Sequence, residues 1–523
     1  MATDKGFSEA RNPATGKSIG TFPLHDAAFV REAILRSRAA QAKWAALPLS
    51  RRRAAIDRMH RALYERSDEI ASIISASSGK TLTDALATEV LPALMSVRYY
   101  RSHARAFLRP RRLRGGNPLM FNKPSRITHR PYGVVGIISP WNYPFAIPFS
   151  EIVMGLLAGN GVILKVAGDS LAVGAAINEL FAVAGLPSGL FAYVNLPGKE
   201  AGEAFLSGGI DKLFFTGSTE VGKVLMERAA RSLTPVVLEL GGNDAAVICK
   251  RADLDRAAWG VLWAGFANAG QSCAGIQRVY VQRSVYEPFL DRLSAAVKAL
   301  RVGDPGSPDS DLGCMANHRQ KETVEAQVRR CLDLGARIAA RSPLDPELAM
   351  GNFVPAIVLT NVTEEMPVVS EEIFGPVVAV IPFDGNDEAV ALANKSAYGL
   401  TASVWSRDRG EARAIANRLE AGAVMINDHL MSHGLAETPW GGFGDSGIGR
   451  SHGEIGFMEM VQPVVIVDET MPFARKNIWW HPYSSRVRDG MRAIIQFLYS
   501  GNPFRSLAAL PRLLSLFFRY WER

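Results

Sequence analysis

The sequence predicts an α/β protein built on two parallel sheets, each covered by crossover helices. Three observations predict it. The 523 residues exceed what a single hydrophobic core serves, so two large domains plus appendages are expected. From residue 132 short apolar runs alternate with helical patterns, as they do when parallel strands are joined by helices. Near residue 240 the alternation starts afresh, which requires a second sheet.

Taken in order, residues 26–64 and 65–105 carry helical periodicity, and the Pro/Arg/Gly-rich stretch 109–116 breaks it. Gly-Val-Val-Gly-Ile-Ile within 132–139 reads as a buried strand, followed by strands at 161–166, 191–196 and 212–216. Helices at 148–159, 170–184, 199–207 and 220–231 connect them. The second series has strands at 236–240, 245–249, 279–281, 353–359, 377–383 and 402–405, with helices near 254–268, 284–300, 317–334, 386–395 and 408–420. A boundary near 240–242 would put Glu239 and Cys273 between the two domains, where clefts form. No internal repeat or low-complexity tract interrupts the series.

Composition is that of an ordinary globular protein. Residues 1–20 are polar and lack an apolar signal-peptide core, so a cytoplasmic location is expected. The four cysteines show no CxxC pair or disulfide spacing, which fits a reducing compartment, and no His/Cys cluster has metal-ligand spacing, so no metal is expected. Cys249, Cys314 and Cys331 read as small buried hydrophobes. The net charge is +8, yet residues 471–523 hold nine basic side chains against two acidic ones, a net +7. The body is therefore close to neutral, which argues against a nucleic-acid partner, while the tail suits an acidic surface.

Cys273 lies in Gly270-Gln271-Ser272-Cys273-Ala274-Gly275, after an apolar helical stretch, and Glu239 lies in Leu238-Glu239-Leu240-Gly241-Gly242. A thiol among small residues and a carboxylate among glycines look like a nucleophile and a base within reach of a substrate. The run from Phe214 to Val224 leads a strand into a helix start through Gly217, Ser218 and Gly222. It nearly spells the ATP-binding P-loop, but Val224 stands where a hydroxyl must bind magnesium. What remains is a dinucleotide-type turn whose amides could hold a pyrophosphate, or a merely tight turn. Lys165 leaves a buried strand at its carboxyl end, where α/β sheets bind ligands.

The 34 residues between Glu239 and Cys273, with Pro140-Trp141-Asn142-Tyr143-Pro144 and Glu372-Ile373-Phe374-Gly375-Pro376, resemble the aldehyde dehydrogenase superfamily over about residues 8–468. The resemblance implies two Rossmann-type parallel α/β domains. Residues 1–112 and 132–240 would bind the cofactor, NAD or NADP, and 241–440 would be catalytic. Residues 113–131 and 455–468 would form a β oligomerisation element, giving a homodimer or a tetramer. Residues 470–523 are left as a basic amphipathic helical extension.

The same resemblance implies roles. Cys273 would attack an aldehyde, the Asn142 amide and the Cys273 N–H would hold the oxyanion, and Glu239 would activate the water that hydrolyses the thioester. Lys165 would contact the adenine ribose, Glu372 the nicotinamide ribose and Phe374 the nicotinamide ring, with Trp141, Gly217, Ser218, Gly222, Leu240 and Gly241 completing the cofactor site. Coenzyme-A-acylating members typically lack the base, so Glu239 implies hydrolysis to the acid. A non-catalytic relative would be expected to have lost Cys273, Glu239 or Asn142.

Four departures stand out. Gly168 replaces a glutamate that would bind the ribose 2′-hydroxyl and repel a 2′-phosphate, which opens the choice towards NADP. Asn243 and Gly444 replace lysines, and Ser451 replaces a glutamate that often serves a secondary proton relay. Gly444 and His452-Gly453 lean towards the class 3, fatty-aldehyde-like branch. Tyr143, Ile147, Ser272 and Ala274 form an apolar or small entrance, with no arginine beside the nucleophile. Apolar aliphatic, lipid-derived or aromatic aldehydes are therefore expected, with succinic semialdehyde as the alternative.

In the tail, Val487, Met491, Ile494, Ile495 and Leu498 fall on one helical face, and Leu513, Leu514, Leu516, Phe517, Phe518 and Trp521 surround Arg512 and Arg519. Pro511 and the arginines keep every apolar run shorter than the roughly 18 residues needed to span a bilayer. Two readings remain: the tail packs on a neighbouring subunit or caps the entrance, or it lies in an anionic membrane surface.

Overall fold

Local chemistry cuts the helical pattern of residues 26–105 into pieces. The Asp26 carboxylate accepts from Phe29 N at 2.8 Å and caps the helix Ala27–Ala46, which stops at Leu47 before Pro48. Leu49–Glu65 and Ser67–Ser78 follow, the latter closed by Gly79 at φ 78°. A short turn Leu82–Ala85 and a π-helical turn Leu86–Val90 then lead into Leu91–Phe107. These features belong to a computed structural model that describes residues 2–3 and 6–522. Met1, Asp4 and Lys5 of the N-terminal segment, and Arg523 of the basic tail, lie outside the described residues.

Both expected sheets form. The first runs Gly447–Ile448, Val236–Glu239, Lys212–Thr216, Val134–Ile138, Gly161–Lys165, Phe191–Tyr193, parallel throughout except for the antiparallel Gly447–Ile448. The second runs Arg337–Arg341, Ile357–Thr360, Val377–Phe383, Ile276–Gln282, Asp244–Ile248, Thr401–Trp405, Ala423–Ile426, with only Arg337–Arg341 antiparallel. Central strands such as Val134–Ile138 and Asp244–Ile248 are buried at every position, because helices cover both faces.

The differences have local causes. The strand expected from 353 starts at Ile357, since Pro355 has no N–H to give the ladder. Residues 7–23, read only as polar, form a hairpin of Phe7–Arg11 and Ser18–Pro23 around Asn12, whose side chain accepts from Ala14 N at 2.8 Å. The edge strands Arg337–Arg341 and Gly447–Ile448 were invisible because one carries two arginines and the other is two residues long.

Contacts divide the chain into two compact units: Met1–Leu108 with Arg130–Gln462, and Arg109–His129 with Pro463–Arg523. The first contains both sheets. The second holds Arg111–Leu113 and the greater part of the strands Ser125–Pro131 and Val461–Val467, which join in the order Val461–Val467, Ser125–Pro131, Arg111–Leu113. It also holds the helices Ser485–Tyr499 and Pro503–Phe517, packed together over Ile478, Val487, Leu516 and Tyr520. Gly490 permits this packing, since a Cβ there would lie 2.9 Å from a Leu516 methyl. Ile495, expected on one helical face with the buried Val487, is exposed, as are Phe504, Leu507, Leu514, Phe518 and Trp521. Among the described residues no helix is long and apolar enough to cross a membrane.

Candidate active site

Cys273 follows a stretch of left-handed backbone. After the helix Leu254–Phe266 the chain takes three successive left-handed residues, Asn268 (φ 55°), Ala269 (φ 54°) and Gly270 (φ 70°). At Gly270 the backbone passes so close to Gly375 that a Cβ would lie 2.1 Å from the Gly375 carbonyl oxygen. Asn268 stabilises the turn, its amide donating to the carbonyls of Gln271 and Asn142, both at 3.0 Å. The strand Val236–Glu239 ends in Gly241-Gly242, and a Cβ on Gly242 would stand 2.0 Å from the Cys273 carbonyl oxygen. Glycine there lets the end of one sheet reach the Cys273 backbone beside the other.

Two cavities meet at Cys273, sharing Cys273, Leu240 and Thr216 in their walls. The first is lined by Glu239 and by largely apolar side chains, among them Leu91, Met95, Ile147, Trp263, Leu430 and Trp440, and by no lysine or arginine. Tyr143, Ser272 and Ala274 also line it. The second is lined by Trp141, Asn142, Gly217, Ser218, Gly241, Glu372 and Phe374, with Gln320 and Thr323. Of the expected catalytic and cofactor-binding residues, Lys165 and Gly222 line neither. Gly222 instead makes room for Leu240, since a Cβ there would lie 2.6 Å from a Leu240 methyl.

Electrostatics follow burial. The Glu239 carboxyl is held well above the usual carboxylate range, first by burial and then by the charge of Glu151, with Arg450 opposing. Its Oε1 accepts from Ser451 Oγ at 3.4 Å, and its Oε2 is buried without a partner. Burial also raises the Cys273 thiol, helped by the charges of Glu372, Asp244 and Glu239. At rest the sulfur is therefore protonated and needs a base as substrate arrives. Asn142 is buried; its amide donates to Gln271 O at 3.1 Å and keeps its second N–H. The Asn142 carbonyl is fixed by Lys80 Nζ at 2.8 Å, and Lys80 is itself buried against Glu89 at 2.5 Å. Glu89 in turn accepts from Phe145 N at 2.8 Å and Ala146 N at 3.0 Å. This brace of the Asn142 loop was not read from the sequence, where Lys80 and Glu89 look like any charges on a helical pattern.

The second cavity suits a nicotinamide dinucleotide. Gly241 lies so close to Glu372 that a Cβ would stand 2.5 Å from Oε2, and Glu372 Oε1 accepts from Gly242 N at 2.9 Å. That carboxyl is raised to about 8, chiefly by burial, and keeps Oε2 for a ligand hydroxyl. Phe374, at φ 52°, meets the edge of Trp141 with ring centroids 5.4 Å apart. Ser218 caps the helix Thr219–Ala230, whose N-terminus opens next to the cavity-lining Gly217. Lys165 is lowered to about 8 by burial, partly offset by the charge of Asp169. Asp169 follows directly on Gly168, which carries no side chain.

A buried thiol and carboxylate at the junction of an apolar cavity and a dinucleotide-type cavity, on two parallel sheets, define an oxidoreductase that works on a substrate beside a nicotinamide cofactor. The comparisons agree: a model of the aldehyde dehydrogenase family matches residues 1–466, and the chain belongs to that family. It is an NAD(P)-dependent aldehyde dehydrogenase. A 4,4'-diapolycopene aldehyde oxidase from Methylomonas sp is 37% identical over 94% of this chain and 91% of its own. A putative NADP(+) succinate-semialdehyde dehydrogenase from Mycolicibacterium smegmatis is 36% identical over 86% of each. A crystal structure of betaine aldehyde dehydrogenase from Staphylococcus aureus with NAD+ superimposes with a TM-score of 0.86, at 30% identity, covering 92% of this chain and 95% of that one.

Proposed function

We propose that this enzyme oxidises apolar, lipid-derived or aromatic aldehydes to acids through a Cys273 thioester hydrolysed with Glu239 as base. The observation that carries this is the first cavity, in which nucleophile and base share an apolar wall without a cation. A substrate carboxylate would meet Glu239 and Glu151 there and find no lysine or arginine among the described lining residues, which weighs against succinic semialdehyde. The carotenoid-aldehyde relative adds support. Its match leaves only 32 of the 523 residues outside, whereas 57 lie beyond residue 466, so at least 25 residues of the C-terminal segment share it. The succinate-semialdehyde relative leaves 74 outside, enough to omit that segment entirely.

In this mechanism the Glu239 carboxylate, close enough for its charge to act on Cys273, takes the thiol proton as sulfur bonds to the carbonyl carbon, and releases it before the hydrolytic step. The free N–H of Asn142 and the backbone N–H of Cys273 hold the oxyanion. NAD or NADP, when bound, accepts a hydride; Trp141, Gly217, Ser218, Leu240, Gly241, Glu372 and Phe374 would hold its nicotinamide half, and Lys165, at the end of its buried strand, its adenine side. Glu239 then takes a proton from water, whose oxygen displaces the sulfur.

The second unit is read as two interaction surfaces. Val461–Val467 is an edge strand with Val465, Ile466 and Val467 exposed, suited to pair with a second subunit in a homodimer or tetramer. Phe504, Leu507, Leu514, Phe518 and Trp521 recur at helical spacing beside Arg505 and Arg512, suited to an anionic membrane surface on the cytoplasmic side that supplies apolar aldehydes. The test of substrate class is a panel of dodecanal, benzaldehyde and succinic semialdehyde with each cofactor. The highest kcat/KM is expected for dodecanal or benzaldehyde; highest efficiency with succinic semialdehyde would refute the reading.

A further inference from the structure

Glu151 is a buried carboxyl that the steps above leave unused. It sits in the helix Ala146–Ala158, every residue of which is buried, and it lines the same cavity as Cys273 and Glu239. An ionisable group in so apolar a helix is costly to bury, so its presence at the reaction cavity calls for a reason. The hydrolytic step supplies one. Glu239 must lose the proton it takes from water before the next turnover, yet it is walled in, with one oxygen unpartnered and the other on a hydroxyl.

Six titratable side chains line the cavity: Tyr143, Glu151, Glu239, Cys273, His433 and His452. Burial holds His433 down to about 4 and His452 well below its ordinary value, so neither imidazole stores a proton at neutral pH. Tyr143 and Cys273 are both pushed up and keep their protons. Burial raises Glu151 to about 8, which lets it take up and release a proton near neutrality. From the neighbouring elements, Arg450 faces Glu239 but is a permanent cation fixed by the Gly442 and Gly449 carbonyls. Tyr100, on the helix Leu91–Phe107, faces Glu151 and is held protonated by burial.

We propose that Glu151 receives the proton from Glu239 and releases it into the cavity that both line, a step that rests on the Cys273–Glu239 reading above. The step balances without a further reactant. A water O–H bond breaks, the oxygen bonds to the thioester carbon and the C–S bond breaks with Cys273 leaving as thiolate. The proton moves from water to Glu239 and then to the Glu151 carboxylate, while the thiolate takes back a proton from the carboxylic acid product, which leaves as carboxylate. Glu151 touches no reacting atom and acts through Glu239. It supplies from the helix the carboxyl that Ser451 does not supply from the loop.

The full-length enzyme with NAD+ and dodecanal tests this by stopped flow, using Glu151→Gln and Glu151→Asp. For Glu151→Gln a burst of one NADH per active site is expected, followed by steady turnover reduced about 10- to 100-fold, at or below the lower end of the roughly 100- to 10,000-fold contributed by groups that transfer a proton to the reacting centre itself. The acid limb of that turnover should move to lower pH, since the charge that raises Glu239 is gone. Glu151→Asp should restore most of the rate. Unchanged steady turnover in Glu151→Gln, loss of the burst together with turnover, or an Asp variant as slow as Gln would overturn the proposal. Glu239→Gln run alongside separates the two readings: if it turns over normally, the base assignment fails whatever Glu151 does.

Discussion

Burial sets the chemistry of single residues here. Cys273 and Glu239 are both raised in pKa by the same apolar surroundings that admit the substrate. The proposed base Glu239 acts only when ionised, so the rate of thioester hydrolysis should fall as pH drops through its raised pKa, well above where an exposed glutamate titrates. The pH profile of steady turnover checks this, and an acid limb at the ordinary carboxylate value would contradict it. Cys273→Ala should lower turnover by more than about a hundredfold while NAD+ still binds by fluorescence titration. At the cofactor, Gly168 offers no carboxylate against a 2′-phosphate, so NADP should be accepted. A preference for NAD above about a hundredfold in kcat/KM, about 2.7 kcal/mol, would assign discrimination to another group, with Asp169 next in line. Cys273 and Glu239 could be picked out in the sequence because small residues flank each of them. Glu151 could not, because one charge in an apolar helical run carries no local signal, and only the fold brings it to the cavity that Glu239 lines.

At the level of elements, the strands of both sheets were legible wherever they are buried on two faces, since parallel strands leave continuous apolar runs. Edges such as Arg337–Arg341, exposed and charged, left no such trace. Glycines were legible as motifs but not as to purpose. The turn through Gly217 and Gly222 reads as one phosphate cradle, yet Gly222 makes space for Leu240 while Gly217 faces the cavity. This distinction is testable. Gly242→Ala drives a methyl into the Cys273 backbone, which cannot yield without moving the nucleophile, and should cost about 1–3 kcal/mol along with nearly all activity. Gly222→Ala meets only the end of a leucine side chain and should cost less in both. Thermal melts and kcat for the two variants decide it, and equal damage would show that the close approach at Gly242 is not special.

For the whole molecule, the second unit turns composition into geometry. The tail's charge was visible as a count, and its helices as periodicity, but which apolar residues face inwards depended on packing: Val487, Gly490 and Ala493 are covered while Ile495 is not. Removing residues 484–523 should abolish co-sedimentation with phosphatidylserine-containing vesicles and spare turnover of soluble aldehydes; equal binding by both forms would exclude the membrane reading. Light scattering at micromolar concentration should give at least a dimer mass, and a monomer would remove the role assigned to Val461–Val467. The central claim, however, is covalent. Glu239→Gln mixed with NAD+ and dodecanal, then quenched and digested, should carry a dodecanoyl mass on the peptide containing Cys273. An unmodified Cys273, or the same mass on Cys249, Cys314 or Cys331, would contradict the account.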